Sequence, residues 1–272
     1  MFATIAGVVE RPFCMEQGHF GLRLPTCDEG YTMTTFQLLH LHTSPFSERV
    51  RWVLDLKRIG YERAPYAVVE GEPRLVVETG QCQVPVLFVD GQPHPDSTAI
   101  VDWLETFAPE PRLVPESPEE AAEVHLYEEL ANAVLAPEGR QLVIGRMLAV
   151  KNERVAAAGR HLAAKYGHSA FAEQRARAAV VRALQILANR VSVRPFLVAD
   201  RFTRADLTVA AMLLDVVPPD ESLFVCDPPF MRALMTDALL AADARFAAVF
   251  AYRDRIYREH RGGIVTPASR AP

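Results

Sequence analysis

The sequence predicts two folded units in series, an α/β unit followed by an all-helical one. Three observations lead there. Between residues 34 and 108, short β-branched runs alternate with amphipathic helical stretches, the pattern of one sheet covered by helices. Pro109, Pro111 and Pro115 then fall within ten residues and exclude a helix. From Ser117 to about residue 260, alanine and leucine dominate and no strand alternation is convincing.

In the first unit, residues 36–41 read as a strand. Ser44 at the N-cap and Pro45 at the first helical position open a helix, and Gly60 closes it. Val50, Val53, Leu54 and Leu56 form its apolar side. Arg49, Arg51, Asp55 and Lys57 are expected on a solvated face. A second strand over 61–69 is weakened by Pro65, and one or two helical turns follow over 73–79. Residues 86–89 form a third strand, which Asp90-Gly91 turns back on itself as a hairpin. A closing helix spans 97–107. A right-handed crossover makes the first two strands parallel, and the hairpin adds an antiparallel edge.

Gln83-Val84-Pro85 stands out. Pro85 occupies the first residue of its strand, where a sheet tolerates proline, and Val84-Pro85 is a candidate for the cis isomer. In that geometry the Val84 amide and carbonyl face outward, free to pair with a peptide-like ligand. Ser97 is expected to open the next helix, its hydroxyl and the first free N–H groups making an anion site beside Val84. An ordinary hairpin next to an ordinary helix cap accounts for the same residues equally well.

Ser117-Pro118-Glu119-Glu120 restarts the chain as helix with a capping box. Helices are expected at roughly 118–149 (broken near 137–139), 150–166, 170–191, 203–217, 228–240 and 242–259. Thr203 and Asp206 form a second capping box, ahead of a nearly wholly apolar stretch over 207–214 that belongs at the centre of its bundle.

Bulk properties narrow the function. A length of 272 residues suits two cores. The net charge of −5 leaves no footprint for nucleic acid, and no apolar run reaches the length of a membrane span. Cys14, Cys27, Cys82 and Cys226 are far apart and lack CxxC spacing. That argues against a zinc site or disulfide framework and for a reducing cytosol. His40 and His42 alternate on the first strand; two histidines alone make a poor metal site, and packing or pocket lining is favoured. Residues 1–33 are expected to be a loosely attached extension, an over-called translation start, with no basic segment to make 2–9 a secretory signal. The 263–272 tail is expected to fray.

Thr43-Ser44-Pro45-Phe46-Ser47-Glu48-Arg49-Val50-Arg51, Val84-Pro85-Val86-Leu87, Asp96-Ser97-Thr98-Ala99-Ile100 and the box from Thr203 to Asp206 together resemble the cytosolic glutathione S-transferase family. The Ser-Pro-Phe-Ser opening is similar to its serine-type (tau, zeta or omega-like) classes. The resemblance covers residues 34 to about 260. It implies a thioredoxin-like glutathione-binding domain over 34–108, a linker over 109–117 and an all-helical substrate-binding domain over 118–262. It also implies a cytoplasmic homodimer that uses glutathione as co-substrate and conjugates it to a hydrophobic electrophile. By position, Ser44 faces the glutathione sulfur. Val84, with Pro85, pairs by its backbone with the cysteinyl unit, and Asp96 and Ser97 hold the γ-glutamyl end. Asp96 is shorter than the glutamate or glutamine usual there, and the glycyl-carboxylate ligand has only Arg74 as a positional candidate.

Ser44 is then a stabiliser of the thiolate, neither nucleophile nor base; a plain helix cap is the competing account. Ser47, one turn on, and Thr43 are weaker candidates for the same role. Cys82, just before the Val84 turn, is more simply a buried inert thiol than a partner for glutathione. Tyr127, Leu130, Leu135, Met147 and Tyr166 are candidates for the substrate pocket, and Trp103 is core or interface. Two other classes stay open: a binding or regulatory protein that keeps the fold without catalysis, and a glutathione-dependent isomerase, reductase or dehalogenase.

Overall fold

The computed structural model describes residues 34–69 and 71–263. The expected extension over 1–33, with Cys14 and Cys27, and the tail beyond 263 lie outside the described residues.

Four short strands make one mixed sheet. They are β1 (Phe36–His40), β2 (Glu62–Pro65), β3 (Val86–Val89) and β4 (Gln92–Pro95), in the order β2-β1-β3-β4. β1 and β2 run parallel, joined through α1 (Pro45–Leu56). β3 is antiparallel to both β1 and β4. The second strand stops at Pro65, short of the expected 69, because its partner β1 ends at His40; the Tyr66 N–H makes the last bond across, to the His40 carbonyl at 2.8 Å. α2 (Glu72–Thr79) and α3 (Ser97–Phe107) complete this unit.

Register decides what gathers where. Leu39 pairs with Val86, and Val86 with Pro95. The exit of β1, the entry of β3 and the exit of β4 therefore lie at one end of the sheet. Ser44, Val84 and Asp96 follow or precede those three points by a few residues, so the topology delivers them to the same end.

The remainder is helical. α4 (Pro118–Leu130) passes through a π-helical turn (Ala131–Leu135) directly into α5 (Ala136–Ala149). The break expected near Pro137 is thus a widened turn just ahead of it. Proline cannot donate to the preceding turn, and the helix absorbs this by local unwinding rather than by ending. α6 (Glu153–Tyr166) and α7 (Ala170–Val191) follow, then α8 (Arg204–Met212) with a 3₁₀ turn at Leu213–Asp215. The two long helices expected after 228 are divided into α9 (Phe230–Met235), α10 (Ala238–Ala242) and α11 (Ala247–His260). Asp237 and Asp243 cause the division. Each accepts from an N–H two or three residues on, Leu240 and Arg245, and so restarts the chain as a new turn.

α8 is buried along its whole length and packs against α1, α4 and α11. At its start the Asp206 carboxylate accepts from the Thr203 N–H (2.8 Å), the Thr203 hydroxyl (3.0 Å), the Leu197 N–H (2.8 Å) and the Tyr252 hydroxyl (2.6 Å). The Ser117 start is half of the box its sequence suggests: Ser117 accepts from the Glu120 N–H, but its hydroxyl then donates to Glu119.

The solvated face expected on α1 does not exist. Glu48, Arg49 and Arg51 are fully buried. Their charges are met from other elements. Glu48 pairs with Arg51 at 2.6 Å and with Arg261, just past the end of α11, at 2.7 Å; Arg261 also holds Asp55 at 2.7 Å. Burial alone would raise the Glu48 carboxyl, but the Arg261 and Arg51 guanidiniums reverse this and hold it below its ordinary range. Trp52 lies on Tyr257, ring centroids 4.6 Å apart, and its indole N–H donates to the His260 carbonyl. The end of the helical unit is therefore clasped onto the first helix of the α/β unit.

Candidate functional site

Ser44 is the N-cap of α1, as its sequence context requires, and is half-buried. Its hydroxyl accepts only a long contact, 3.4 Å, from the Ser47 N–H. Ser47 is fully buried and its oxygen accepts from the Leu41 N–H, so Ser47 has no surface to offer a ligand. Thr43 is also buried. Of the three hydroxyls in this stretch, Ser44 alone reaches the open end of the sheet.

The Val84–Pro85 bond is cis. Neither the amide nor the carbonyl of Val84 has a hydrogen-bond partner among the described residues. Pro85 is buried beneath.

The start of α3 departs from expectation. Asp96, not Ser97, is the N-cap: one of its carboxylate oxygens accepts from the Thr98 N–H at 2.8 Å and the Ala99 N–H at 2.9 Å. An aspartate is the right length for this bond to its own helix. Asp96 is exposed, with φ of 68°, and its second oxygen accepts no hydrogen bond among the described residues. Ser97 is buried at the first helical position, and its hydroxyl accepts from Arg49 at 2.9 Å. The Ser97 N–H has no partner among the described residues.

Arg49 is the residue that sequence reasoning misplaced. Its guanidinium donates to Ser97, to the Thr98 hydroxyl at 2.8 Å and to the Asn132 side chain at 2.9 Å, while its Nε has no partner among the described residues. Burial pulls its pKa down to about 10, opposed by the field of Glu128. Asn132 comes from the π-turn, so the widened helix of the second unit supports the first turn of α3. Only a motif pairing Arg49 with Asn132 would have revealed this, and such long-range pairing leaves no local sequence signal.

His40 is buried, and its Nδ1 accepts from Arg51 at 2.8 Å. Burial and the Arg51 charge push its imidazole down to about 3, so it serves the ion network as a neutral acceptor. His42 lies beyond the end of β1; its ring stacks on Phe224 at 5.0 Å and bonds the Val225 carbonyl at 2.7 Å. No cluster of potential metal ligands occurs among the described residues.

Cys82 is partly exposed, and its carbonyl accepts from Lys165 of α6. Lys165 and His161 also hold Glu72 at the start of α2. Arg74 is largely exposed and pairs with Glu78 on the same helix. Among the pocket candidates, Leu135 and Tyr127 belong to the main core and Met147 to a smaller cluster; Leu130 packs on the core. Tyr166 is half-buried under the Arg140 guanidinium, 4.2 Å from its ring centroid. Trp103 is half-buried in an aromatic cluster with Phe36, Phe107 and His94. An open groove of about 760 Å³ runs between the sheet and α2, past Leu39, Tyr66, Arg74 and Phe88. None of Ser44, Val84, Asp96 or Ser97 lines it.

This arrangement, a thioredoxin-like sheet with a helical unit clasped to it, is the glutathione S-transferase architecture. Residues 38–112 match the family model described as "Glutathione S-transferase, N-terminal domain". Over 99 residues the chain is 35% identical to "Maleylacetoacetate isomerase" of Mus musculus; the match covers 35% of this chain and 46% of that protein, so it spans just under half of the relative's length. A glutathione S-transferase structure from Xanthobacter autotrophicus Py2 superposes with a TM-score of 0.61 at 17% identity, covering 86% of this chain and 98% of the other. One from Methylobacillus flagellatus KT, with glutathione bound, gives 0.54 at 20% identity, covering 78% and 97%. At these identities the structural matches speak to the fold alone. No helix among the described residues is long and apolar enough to cross a membrane.

Proposed function

We propose that the protein is a glutathione-dependent enzyme that stabilises the glutathione thiolate at Ser44 and delivers it to an electrophilic carbon of a hydrophobic small molecule. The observation that carries this reading is the loose 3.4 Å engagement of the Ser44 hydroxyl, at the sheet end where Val84 also presents an unpaired backbone. In this reading residues 34–108 form the glutathione-binding domain and 118–262 the substrate-binding domain, joined by 109–117. The working unit is a cytoplasmic homodimer, as the family resemblance implies.

The residues suit a tripeptide. Val84, shaped by Pro85, offers one N–H and one C=O to the cysteinyl unit. Asp96 offers its unengaged oxygen to the γ-glutamyl amino group. Ser97 offers its N–H, and a hydroxyl hydrogen left free because its oxygen already accepts from Arg49, to the γ-glutamyl carboxylate. Arg74, paired with Glu78 at the surface, is given no part.

The chemistry rests on a proton equilibrium. A free thiol has a pKa of about 8.5, so only a few per cent is thiolate at neutral pH. Ser44 donates its hydroxyl hydrogen to the sulfur, and the N-terminus of α1 adds a positive end. Each unit by which they lower the thiol pKa favours the thiolate by about 1.4 kcal/mol. The proton leaves to solvent; Ser44 neither takes it nor attacks.

A second reading is glutathione-dependent isomerisation, favoured by the 35% identity to the mouse isomerase. It shares the first step. The thiolate adds to a conjugated double bond, the former double bond rotates as a single bond, and elimination restores both alkene and thiolate. Titration with glutathione, followed by thiol counting during turnover of conjugated and halogenated electrophiles, separates the readings. Thiol loss marks conjugation, and product without thiol loss marks isomerisation. Absence of glutathione binding at millimolar concentration rejects both.

A further inference from the structure

Arg140 on α5 differs from the fully or partly buried arginines of the core: even Arg49, which holds no carboxylate, spends its donors on Ser97, Thr98 and Asn132. Arg51, Arg146, Arg204, Arg253 and Arg261 each hold a carboxylate. Arg140 holds none, and it bonds no carbonyl either, among the described residues. What it has is rings. Its guanidinium lies 4.2 Å from the ring centroid of Tyr166 at the end of α6 and 5.8 Å from that of Phe46. Phe46 is two residues beyond Ser44, on the first turn of α1. One cation thus bridges the helical unit to the turn that carries the sulfur-facing hydroxyl.

Stacking uses the faces of a guanidinium and leaves its edge unspent. That edge is a planar fork of N–H donors that matches a carboxylate two bonds at a time. The acid in whose field it lies is Asp215, on the turn after α8, brought close because Gly139 has no Cβ: one built there would stand 3.0 Å from the Asp215 Cβ. Asp215 makes no hydrogen bond to Arg140. Burial pushes the Asp215 carboxyl up to about 7, despite Arg140 and Arg146, so it is a weak neutraliser of the cation near neutral pH.

We propose that Arg140 anchors a carboxylate on the electrophile, so that the Tyr166–Arg140–Phe46 stack selects flat, unsaturated, carboxylate-bearing substrates and holds them beside Ser44. This deepens the reading given under Proposed function and rests on it. With 4-chloro-3,5-dinitrobenzoate, for instance, the glutathione sulfur forms the new C–S bond, the C–Cl bond breaks, chloride leaves with the electron pair, and the thiol proton goes to solvent.

The test separates the anchor from the sulfur site. 3,5-Dinitrobenzoate and its methyl ester are titrated without glutathione into the full chain, into Arg140→Gln and into Arg140→Lys. Glutathione alone is titrated into each as well. The native chain is expected to bind the carboxylate at least tenfold more tightly than the ester. Arg140→Gln should erase that preference while changing glutathione binding less than twofold. Arg140→Lys, which keeps the charge without the fork, should retain part of it. A native chain without the preference, or an Arg140→Gln chain that weakens acid and ester alike, overturns the proposal. Preference for the acid in a chain that does not bind glutathione leaves the anion anchor standing and removes the glutathione reading. Glutathione binding without the preference removes the anchor alone.

Discussion

At the start of α8 the Asp206 carboxylate accepts four hydrogen bonds of 2.6–3.0 Å and is wholly buried. At the start of α1 the Ser44 hydroxyl accepts one, at 3.4 Å, and is half-buried. Ser44 is an N-cap and Asp206 the third residue of a capping box whose N-cap is Thr203, and both helix starts are legible in the sequence. The difference lies in saturation. A cap whose lone pairs are all spent on its own chain contributes stability and has nothing left for a ligand. A cap that is barely engaged gives little to the fold and keeps its hydrogen to donate. The start of α3 lies between the two: Asp96 spends one oxygen on its helix and keeps the other, and Ser97 accepts from Arg49 but can still donate.

That contrast sets an order of effects. The largest belongs to Asp206. Asp206→Ala orphans buried donors from Thr203, Leu197 and Tyr252, and should destabilise the protein by roughly 4 kcal/mol. Chemical denaturation measures this; a loss below about 1 kcal/mol would show that the saturated cap is not what holds α8. Asp215, on the turn that follows α8, comes next and acts with the opposite sign. Burial raises its pKa from 3.8 to about 7 in the folded chain. Ionisation is therefore harder folded than unfolded, so this group leaves stability untouched below about pH 4, lowers it progressively between about pH 4 and pH 7, and adds no further loss above that. Asp215→Asn should stabilise the protein at pH 8.5, by on the order of 3 kcal/mol, and give no gain at pH 4. Equal effects at both pH values would refute the buried-acid account.

Ser44→Ala sharpens the comparison directly. Stability should fall by less than about 1 kcal/mol, since so weak a cap contributes little. Turnover should fall at least about tenfold, with glutathione affinity within a few-fold, because an interaction that favours the thiolate is worth about 1.4 kcal/mol per decade. Unchanged turnover would make Ser44 a cap and nothing more. The smallest effect is expected at Arg74. It is largely exposed and, among the described residues, paired only with Glu78, so Arg74→Ala should leave glutathione affinity within about twofold. A tenfold loss in calorimetry would restore it as the glycyl-carboxylate ligand.

Local rules carried much of the fold. The Asp90-Gly91 hairpin, the Ser44-Pro45 start, the Ser117 restart, the α7 limits and the buried α8 all follow from residues within a few positions of each other. The errors share one cause. The solvated face assigned to α1 is buried because Arg261, more than 200 residues away in sequence, pairs with Glu48. Ser97 lost its role as cap to Asp96, a choice between adjacent residues that helix propensity hardly separates, and was instead engaged by Arg49 from another helix. Amphipathic patterning assumes that charge seeks water. It cannot register a charge that finds its counter-ion on an element not yet reached along the chain.

The clasp of α11 onto α1 also bears on synthesis. A growing chain that has completed its sheet carries Glu48 with Arg51 but not yet with Arg261, and Trp52 without the Tyr257 ring beside it. Folding units generally form in order as they leave the ribosome, yet here the α/β unit reaches its final packing only after α11 has emerged.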